Sequence, residues 1–441
     1  MVDRIYLPVF LKRQRTAVLG VFLISATIFA TFLLTAPESI MSKPCSDCAG
    51  WYYPVAENLA AGKGLVVGDN DRPALDRPPG HVLLLSGAFT IGRVVGFEKV
   101  AVVYALNVLL LSFAACLLFR ISELFWGVKG GLVSAGLWST SPFVLWFLNQ
   151  PFSEVPFFVC LFFATWIFLS QQKEQNLSLS RMFLVGVALG VAAMIRPIGV
   201  FLVAPFLLAL WTSGSPAAAR NLRISSTSIM LGWLIMIAPW HIYVHENVSP
   251  DSDTSTGIHV TRSLIEGFVF GVKTEDYKVA IPLAPDVEYF MEELQTIFTD
   301  WREIPGGGEL YGPGGTHDVQ ELENILAIAW DRLGADPILT ARFLWLKVSR
   351  SWYGTDSHRN ETVSLILQGL YLLIIIPGLI KTFLVQGKRP LGCLTLWVTL
   401  YFWAFAVVFT PLVRYMIPAV GLLFSVTPGI LMFYKKKKVN L

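Results

Sequence analysis

The side chains best placed by type and spacing to do chemistry lie in a polar stretch that interrupts an otherwise apolar chain. Residues 46–80 (SDCAGWYYPVAENLAAGKGLVVGDNDRPALDRPPG) follow the first long apolar run, and Asp47 stands a turn or two beyond its expected end. Trp51, Tyr52, Tyr53 and Arg77 crowd the same segment. An ionisable group at the edge of a membrane span marks a site by default. A carboxylate there can take the proton of an attacking hydroxyl, if the hydroxyl comes within hydrogen-bond reach. The competing reading of Asp47 is a solvated loop acid, or the cap of a helix that starts near Trp51.

Three further groups suit the same chemistry. In Arg77-Pro78-Pro79-Gly80-His81, two prolines hold the backbone extended and the glycine permits close packing, so an arginine and a histidine are fixed side by side. Arg414-Tyr415, at the start of the last apolar run, and Arg196, in front of Pro197, place guanidinium groups where only an anion, a water-filled cleft or the headgroup layer can satisfy them. A planar guanidinium suits a phosphate because it donates two charge-assisted bonds at once. The plainer account of all three arginines is snorkelling to the interface. Glu154 opens a span in NQPFSEVPFF, and a carboxylate there also stabilises a helix through its dipole. Asp69-x-Asp71 offers a divalent ion two carboxylates, but two loop acids before a proline are ordinary turn chemistry, so no cofactor is called for and a metal has no support. Cys45 and Cys48 read as two thiols or a local disulfide, with no second Cys or His pair to complete a zinc site.

The elements that must position these groups are membrane helices. Of 441 residues 54% are hydrophobic and 15% charged, more apolar surface than one soluble core uses, and it comes in repeated long runs. Spans are expected at 17–35, 98–119, 127–146, 152–170, 182–196, 198–212, 226–245, 362–384, 390–409 and 411–434. The fold class is therefore an all-α integral membrane bundle of about ten transmembrane helices. His81–Val95 is apolar but short and contains Gly87 and Gly92, so it reads as a juxtamembrane or half-inserted helix. Arg4, Lys12, Arg13 and Arg15 before the first span, and Lys435–Lys438 after the last, put both termini in the cytoplasm. The basic linkers at Arg120/Lys129, Lys173/Arg181, Arg220/Arg223 and Lys381/Lys388/Arg389 then all fall inside. The first apolar run, Ala17–Ala36, exceeds a signal peptide's usual core and is expected to be retained.

Two hydrophilic segments face outward under this topology, residues 36–97 and the stretch from Glu246 to Glu361. Between Glu246 and Thr340 there are 18 Asp plus Glu against 5 Lys plus Arg. With acids outside and no exposed basic stripe, nucleic acid is excluded as a partner. Residues 285–303 and 317–333 have helical spacing on either side of glycine-rich breaks, as a lid or a plain solvated cap would. Residues 341–353 mix basic and aromatic residues as an interfacial helix does. Three regions result: 1–245, a transmembrane module with the catalytic outer loop 36–97; 246–361, the acidic extracytoplasmic loop with the interfacial helix; and 362–441, the last helices and the basic tail.

Asp47, Tyr52, AENLAAGKG and RPPGHVLLLSGAF, followed by SEVPFF, LVGVALGVAAMIRPIGVFLVAP, IAPWHIYV and VRYMIPAVGLL, resemble in order the polyprenyl-phosphate-sugar glycosyltransferases of the GT-C superfamily. That superfamily includes protein O-mannosyltransferases and the aminoarabinose transferase of lipid A. The resemblance implies a bacterial inner-membrane enzyme whose active site faces the periplasm and which moves a sugar from a polyprenyl-phosphate donor to a hydroxyl on a glycan, lipid or protein. It implies Asp47 as general base, Glu154 as a second acid, Arg414, Tyr415, Arg77 and Arg196 at the donor phosphate, and Tyr52, His81 and Glu57 at the substrate. Two departures bear on sugar and acceptor: Asp47 precedes Cys48 where many relatives pair Asp with Glu, and Tyr243-Val244 stands where relatives often carry Arg-Asn. The rival readings are a lipid-linked-sugar transporter or flippase, which internal repeats and helices broken at the midplane would mark, and an O-antigen-type ligase, which would lean on outer-loop Arg and His.

Overall fold

The computed structural model describes residues 3–37, 51–67, 72–75, 77–174, 177–213, 216–247, 264–265, 267–268, 280–303, 315–355, 360–385 and 387–431. Among them the strands are two residues each, Val66–Val67 paired antiparallel with Arg72–Pro73, and nearly everything else is helix. Seven helices are long and apolar enough to cross a bilayer: Arg15–Thr35, Lys99–Thr140, Glu154–Glu174, Leu222–Asn247, Glu361–Leu384, Arg389–Val408 and Val413–Ile430. Gly80–Val95, Leu179–Ile195 and Pro197–Thr212 are shorter apolar helices. The ten apolar runs expected from the sequence are helical over most of their described residues, and the expected break between 98–119 and 127–146 is present. The runs at 98–119 and 127–146 share one 42-residue stretch, Lys99–Thr140, broken at Gly127 with φ 73° and ψ −178°, a backbone state that glycine alone adopts at little cost. Large apolar side chains stand exposed along these helices, among them Leu19, Leu23, Ile24, Leu234, Ile235, Leu373 and Ile376. Hydrocarbon is the solvent that such faces require, and the protein is an integral membrane protein.

Contacts divide the chain into two units. The first comprises Met1–Tyr243, Ile374–Val398 and Pro418–Leu441. Its centre is the helix Glu154–Glu174, 72% buried against 17% for Arg15–Thr35 at the periphery. Trp138 packs edge-to-face on Phe158 and Phe162, both at 5.2 Å. Gly421 lets the last span lie on those rings, since a Cβ there would come within 2.6 Å of Phe162 and 2.8 Å of Trp138. Buried hydroxyls tie neighbouring helices, as Ser134 Oγ does to the Phe424 carbonyl (2.9 Å) and Ser25 to Ser139 (2.8 Å). Gly186 and Gly190 of LVGVALGV, one turn apart, meet Ile229 and Met236 so closely that a Cβ would clash at 2.0 and 2.5 Å. The helices Leu179–Ile195 and Pro216–Asn247 thus pack backbone to backbone, as small-residue pairs allow in membranes.

The second unit comprises Val244–Leu373 and Thr399–Ile417. Its three helices Pro285–Glu303, Gly315–Ala335 and Pro337–Arg350 surround a small core of Phe268, Val287, Phe290, Met291, Leu294, Ala329 and Phe343. Val287, Phe290, Met291 and Leu294 recur at the i, i+3, i+4, i+7 spacing of one helix face. Asp336 starts the third helix, accepting from the amides of Ile338 (2.9 Å) and Leu339 (3.0 Å) with Pro337 in its first turn. Ion pairs Arg342–Asp286 (2.8 Å) and Arg332–Glu293 (2.9 Å) join the helices at the surface.

Candidate active site

Five of the residues singled out in the sequence converge in the first unit. The cause is local. Gly80 begins the helix Gly80–Val95, and a Cβ at that position would lie 2.6 Å from the Met194 carbonyl oxygen, so only glycine lets this helix start abut the end of Leu179–Ile195. Its neighbour His81 is thereby held 2% exposed, and its Nε2 is 2.7 Å from the Pro151 carbonyl. A carbonyl only accepts, so Nε2 carries the proton. Nδ1 is then a buried acceptor with no hydrogen-bond donor among the described residues. Burial lowers the His81 pKa to about 4; the Pro151 carbonyl and Glu154 oppose that shift, and Arg196 adds to it. His81 is a neutral polar group at physiological pH.

Arg196 stands where Leu179–Ile195 stops, its own backbone extended (φ −143°, ψ 134°) before Pro197 starts a short 3₁₀ turn. Its guanidinium is ion-paired with the Glu154 carboxylate, with side chains 12% and 6% exposed. Glu154 lies in the first turn of Glu154–Glu174, so the helix dipole adds to the arginine in favouring the charged carboxylate.

Aromatic rings form the adjoining wall. Tyr52 meets His81 edge-on at 4.8 Å and Trp51 edge-on at 5.1 Å. The Arg77 guanidinium lies 5.2 Å from the Tyr52 ring centre and 5.5 Å from that of Trp51, a cation–π arrangement. Tyr52, Arg77, His81, Glu154 and Arg196 therefore form one cluster. Glu57 does something else: it is ion-paired with Lys99 on an exposed surface.

One member of the setting is not among the sequence-picked residues. Asn107 Nδ2 donates into three carbonyls, Phe147 (3.1 Å), Leu148 (3.1 Å) and Gln150 (2.6 Å), and so fixes the non-helical approach to Pro151 and Glu154. The signal available in the sequence was an amide inside the apolar run VVYALNVLLL.

Arg414 and Tyr415 belong to the second unit. The guanidinium sits 5.1 Å from the Tyr415 ring centre, and its Nη2 lies 3.4 Å from the phenol oxygen. The turn before them is braced, because the Val413 amide donates to the Gly354 carbonyl (2.9 Å) and a Cβ on Gly354 would meet the Pro411 oxygen at 2.5 Å. Gly354 lies in the chain between the buried pair Arg350 and Glu361, in which Arg350 Nε donates to Glu361 Oε1 at 3.0 Å. Lys347 is buried nearby in sequence; its ammonium donates to the carbonyls of Val408 (3.1 Å) and Phe409 (2.9 Å), and burial lowers its pKa to about 7. Neither Arg350–Glu361 nor Lys347 was singled out in the sequence, where 341–353 reads only as an interfacial helix.

Asp47, Cys45, Cys48, Asp69 and Asp71 lie outside the described residues. Among the described residues no group of three or more His, Cys, Asp or Glu is placed to hold a metal ion.

Residues 76–243 match the family described as dolichyl-phosphate-mannose-protein mannosyltransferase. That stretch contains Arg77, His81, Glu154 and Arg196. No curated protein matches the chain. Among solved structures, the chain is similar to the archaeal oligosaccharyltransferase AglB from Archaeoglobus fulgidus, in complex with an inhibitory peptide and a dolichol-phosphate. The TM-score is 0.53 at 13% identity, over 95% of this chain and 50% of AglB, so the chain spans about half of that protein's length. The matched stretch is 168 of the 441 residues, and the likeness to AglB is one of fold.

Proposed function

We propose that the protein is a membrane glycosyltransferase that moves a sugar from a polyprenyl-phosphate donor to a hydroxyl on a glycan, lipid or protein acceptor. The observation that carries this reading is the cluster of Tyr52, Arg77, His81, Glu154 and Arg196, nearly all of it within the stretch that matches the mannosyltransferase family. The match to a protein whose structure holds a dolichol-phosphate and a peptide supports a lipid-linked donor in general terms.

In the reaction the acceptor hydroxyl oxygen attacks the anomeric carbon, the new C–O bond forms as the bond from that carbon to the phosphate oxygen breaks, and the polyprenyl phosphate leaves with the electron pair. Asp47, four residues before Trp51, takes the hydroxyl proton. Positive groups are needed where charge grows on the leaving phosphate. Arg77, beside the rings of Tyr52 and Trp51, and Arg414 with Tyr415 fill that role. Arg196 holds Glu154, and Glu154 orients acceptor or donor. Tyr52 and His81 line the substrate side, His81 by its neutral Nδ1 acceptor. Metal is not required by this scheme. The membrane assigned is the bacterial plasma membrane, with both termini cytoplasmic and the site, the loop 36–97 and the acidic region 246–361 on the exterior.

The test is transfer of radiolabelled sugar from a panel of polyprenyl-phosphate sugars to membrane acceptors, with wild type and Asp47→Asn at matched expression. Transfer by the wild type, lost in the variant while labelled donor still binds, is the expected result. Equal transfer by both would remove Asp47 from the mechanism. No transfer from any donor by the wild type would overturn the enzyme reading.

A further inference from the structure

A second cleft lies in the first unit, away from the cluster around Arg196. The helical run that begins at Pro197, just after Arg196, ends at Thr212 after a six-residue and a ten-residue segment, about 25 Å of rise. At that far end an open cleft of about 370 Å³ is lined by Thr212, Phe383, Arg389, Cys393, Leu396 and Trp397. Its walls are tied together: Trp397 Nε1 donates to Thr212 Oγ1 (2.9 Å), and that hydroxyl donates to the Leu208 carbonyl (2.7 Å).

The lining has two characters. Phe383, Leu396 and Trp397 offer apolar and aromatic surface. Arg389 offers an exposed guanidinium in the first turn of the 20-residue helix Arg389–Val408, where the helix dipole also favours an anion. A second cation adjoins it in the chain. Lys388 precedes Arg389, with its ammonium 3.3 Å from the Trp126 ring centre. Lys388 has its pKa lowered to about 8, by burial first and then by Lys381 and Lys173. A cation at the edge of an apolar wall suits an anion that carries its own apolar part. The cleft also adjoins the ends of two apolar helices, Glu361–Leu384 and Arg389–Val408, which is headgroup depth for a bilayer.

We propose that this cleft binds one anionic phospholipid, its phosphate held by Arg389 and Lys388 and one acyl chain lying along Phe383, Leu396 and Trp397. The guanidinium supplies a two-pronged contact to phosphate oxygens, the lysines raise the local potential, and the indole suits the interface between apolar and polar layers. A zwitterionic headgroup fits worse, because its own cation meets Lys388 and its neighbours. A free phosphate would leave the apolar wall uncovered. The inference stands apart from the proposed transfer reaction, since none of these residues belongs to that site.

Native mass spectrometry of the purified full chain in neutral detergent tests it, with phosphatidylglycerol, phosphatidylcholine and inorganic phosphate added in separate arms. The wild type is expected to hold one phosphatidylglycerol at least about tenfold more tightly than phosphatidylcholine, about 1.4 kcal/mol. Lys388→Gln with Arg389→Gln should reduce phosphatidylglycerol to the phosphatidylcholine level. Leu396→Trp fills the cleft while keeping every cation, and it should abolish the tight site even if the charge variant proves unstable in a melting assay. Equal retention of the two lipids by the wild type, or tight phosphatidylglycerol binding that survives Leu396→Trp, overturns the proposal. Inorganic phosphate that displaces the lipid at equal concentration overturns it in favour of a free-anion site.

Discussion

The Glu154 carboxylate and the Arg196 guanidinium, one opening a central helix and the other standing where a neighbouring helix breaks, are ion-paired with their side chains almost entirely out of water. Removing one partner of such a pair strands the other charge, at a cost of about 3–5 kcal/mol, whereas removing both together costs far less. Glu154→Gln and Arg196→Met should each lower the melting temperature in detergent sharply, and the double variant should recover most of the loss. Purely additive losses would show that the two side chains are stable without each other.

His81 gives the folded state a pH dependence of predictable sign. Its folded pKa, about 4, lies below the ordinary value near 6.5, so the unfolded chain binds the proton more readily. This contribution is fully present above about pH 6.5 and is lost as pH falls toward 4, at about 1.4 kcal/mol per pH unit and about 3 kcal/mol in all. Melting temperatures of wild type and His81→Gln should converge as pH falls through that window. Parallel curves from pH 7 to 4 would mean that His81 is not held neutral.

Glycine at position 80 is required by a contact, and glycine at 87 is not. A Cβ on Gly80 would press into the Met194 carbonyl, while one on Gly87 meets nothing within 4 Å. Gly80→Ala should cost about 1–3 kcal/mol by pushing two helices apart, and it should also depress transfer because His81 and Arg196 are displaced with them. Gly87→Ala should be neutral or slightly stabilising, by up to about 1 kcal/mol. Thermal melts and transfer assays on the pair decide the matter, and equal behaviour of the two variants would contradict the packing argument.

Arg350 and Arg414 should separate stability from function. Arg350→Met leaves Glu361 charged and 0% exposed, so a loss of about 3–5 kcal/mol is expected in melting experiments. Arg414→Gln removes a partly exposed cation stacked on Tyr415, and should change stability by less than about 1 kcal/mol. Its effect should fall on catalysis instead, with transfer reduced about 100-fold or more if the guanidinium stabilises the leaving phosphate. Unchanged transfer kinetics in Arg414→Gln would remove that arginine from the donor site.

Much of the architecture was legible because hydrocarbon imposes a simple rule, that every backbone group must be bonded within a helix and the outward side chains must be apolar. Length and composition alone therefore marked all ten apolar runs. The division of those runs was less legible. Gly127 could have been a linker or a kink within one long stretch, and only the path of the chain on either side decides which.

Sequence by itself determined that this is a helical membrane protein, and it offered Asp47, Tyr52, Glu57, Arg77, His81, Glu154, Arg196, Arg414 and Tyr415 as candidate site residues, partly because ionisable groups at span ends are costly and partly through the family resemblance. Their partners were decided only by the tertiary structure. Asn107 reaches carbonyls 40 and more residues away, His81 finds a carbonyl 70 residues on, and Arg350 is neutralised by Glu361 inside a braced turn. Such pairings depend on which helix ends meet, and that is set by small close contacts such as Gly80 on Met194, whose geometry no local pattern of residue types encodes.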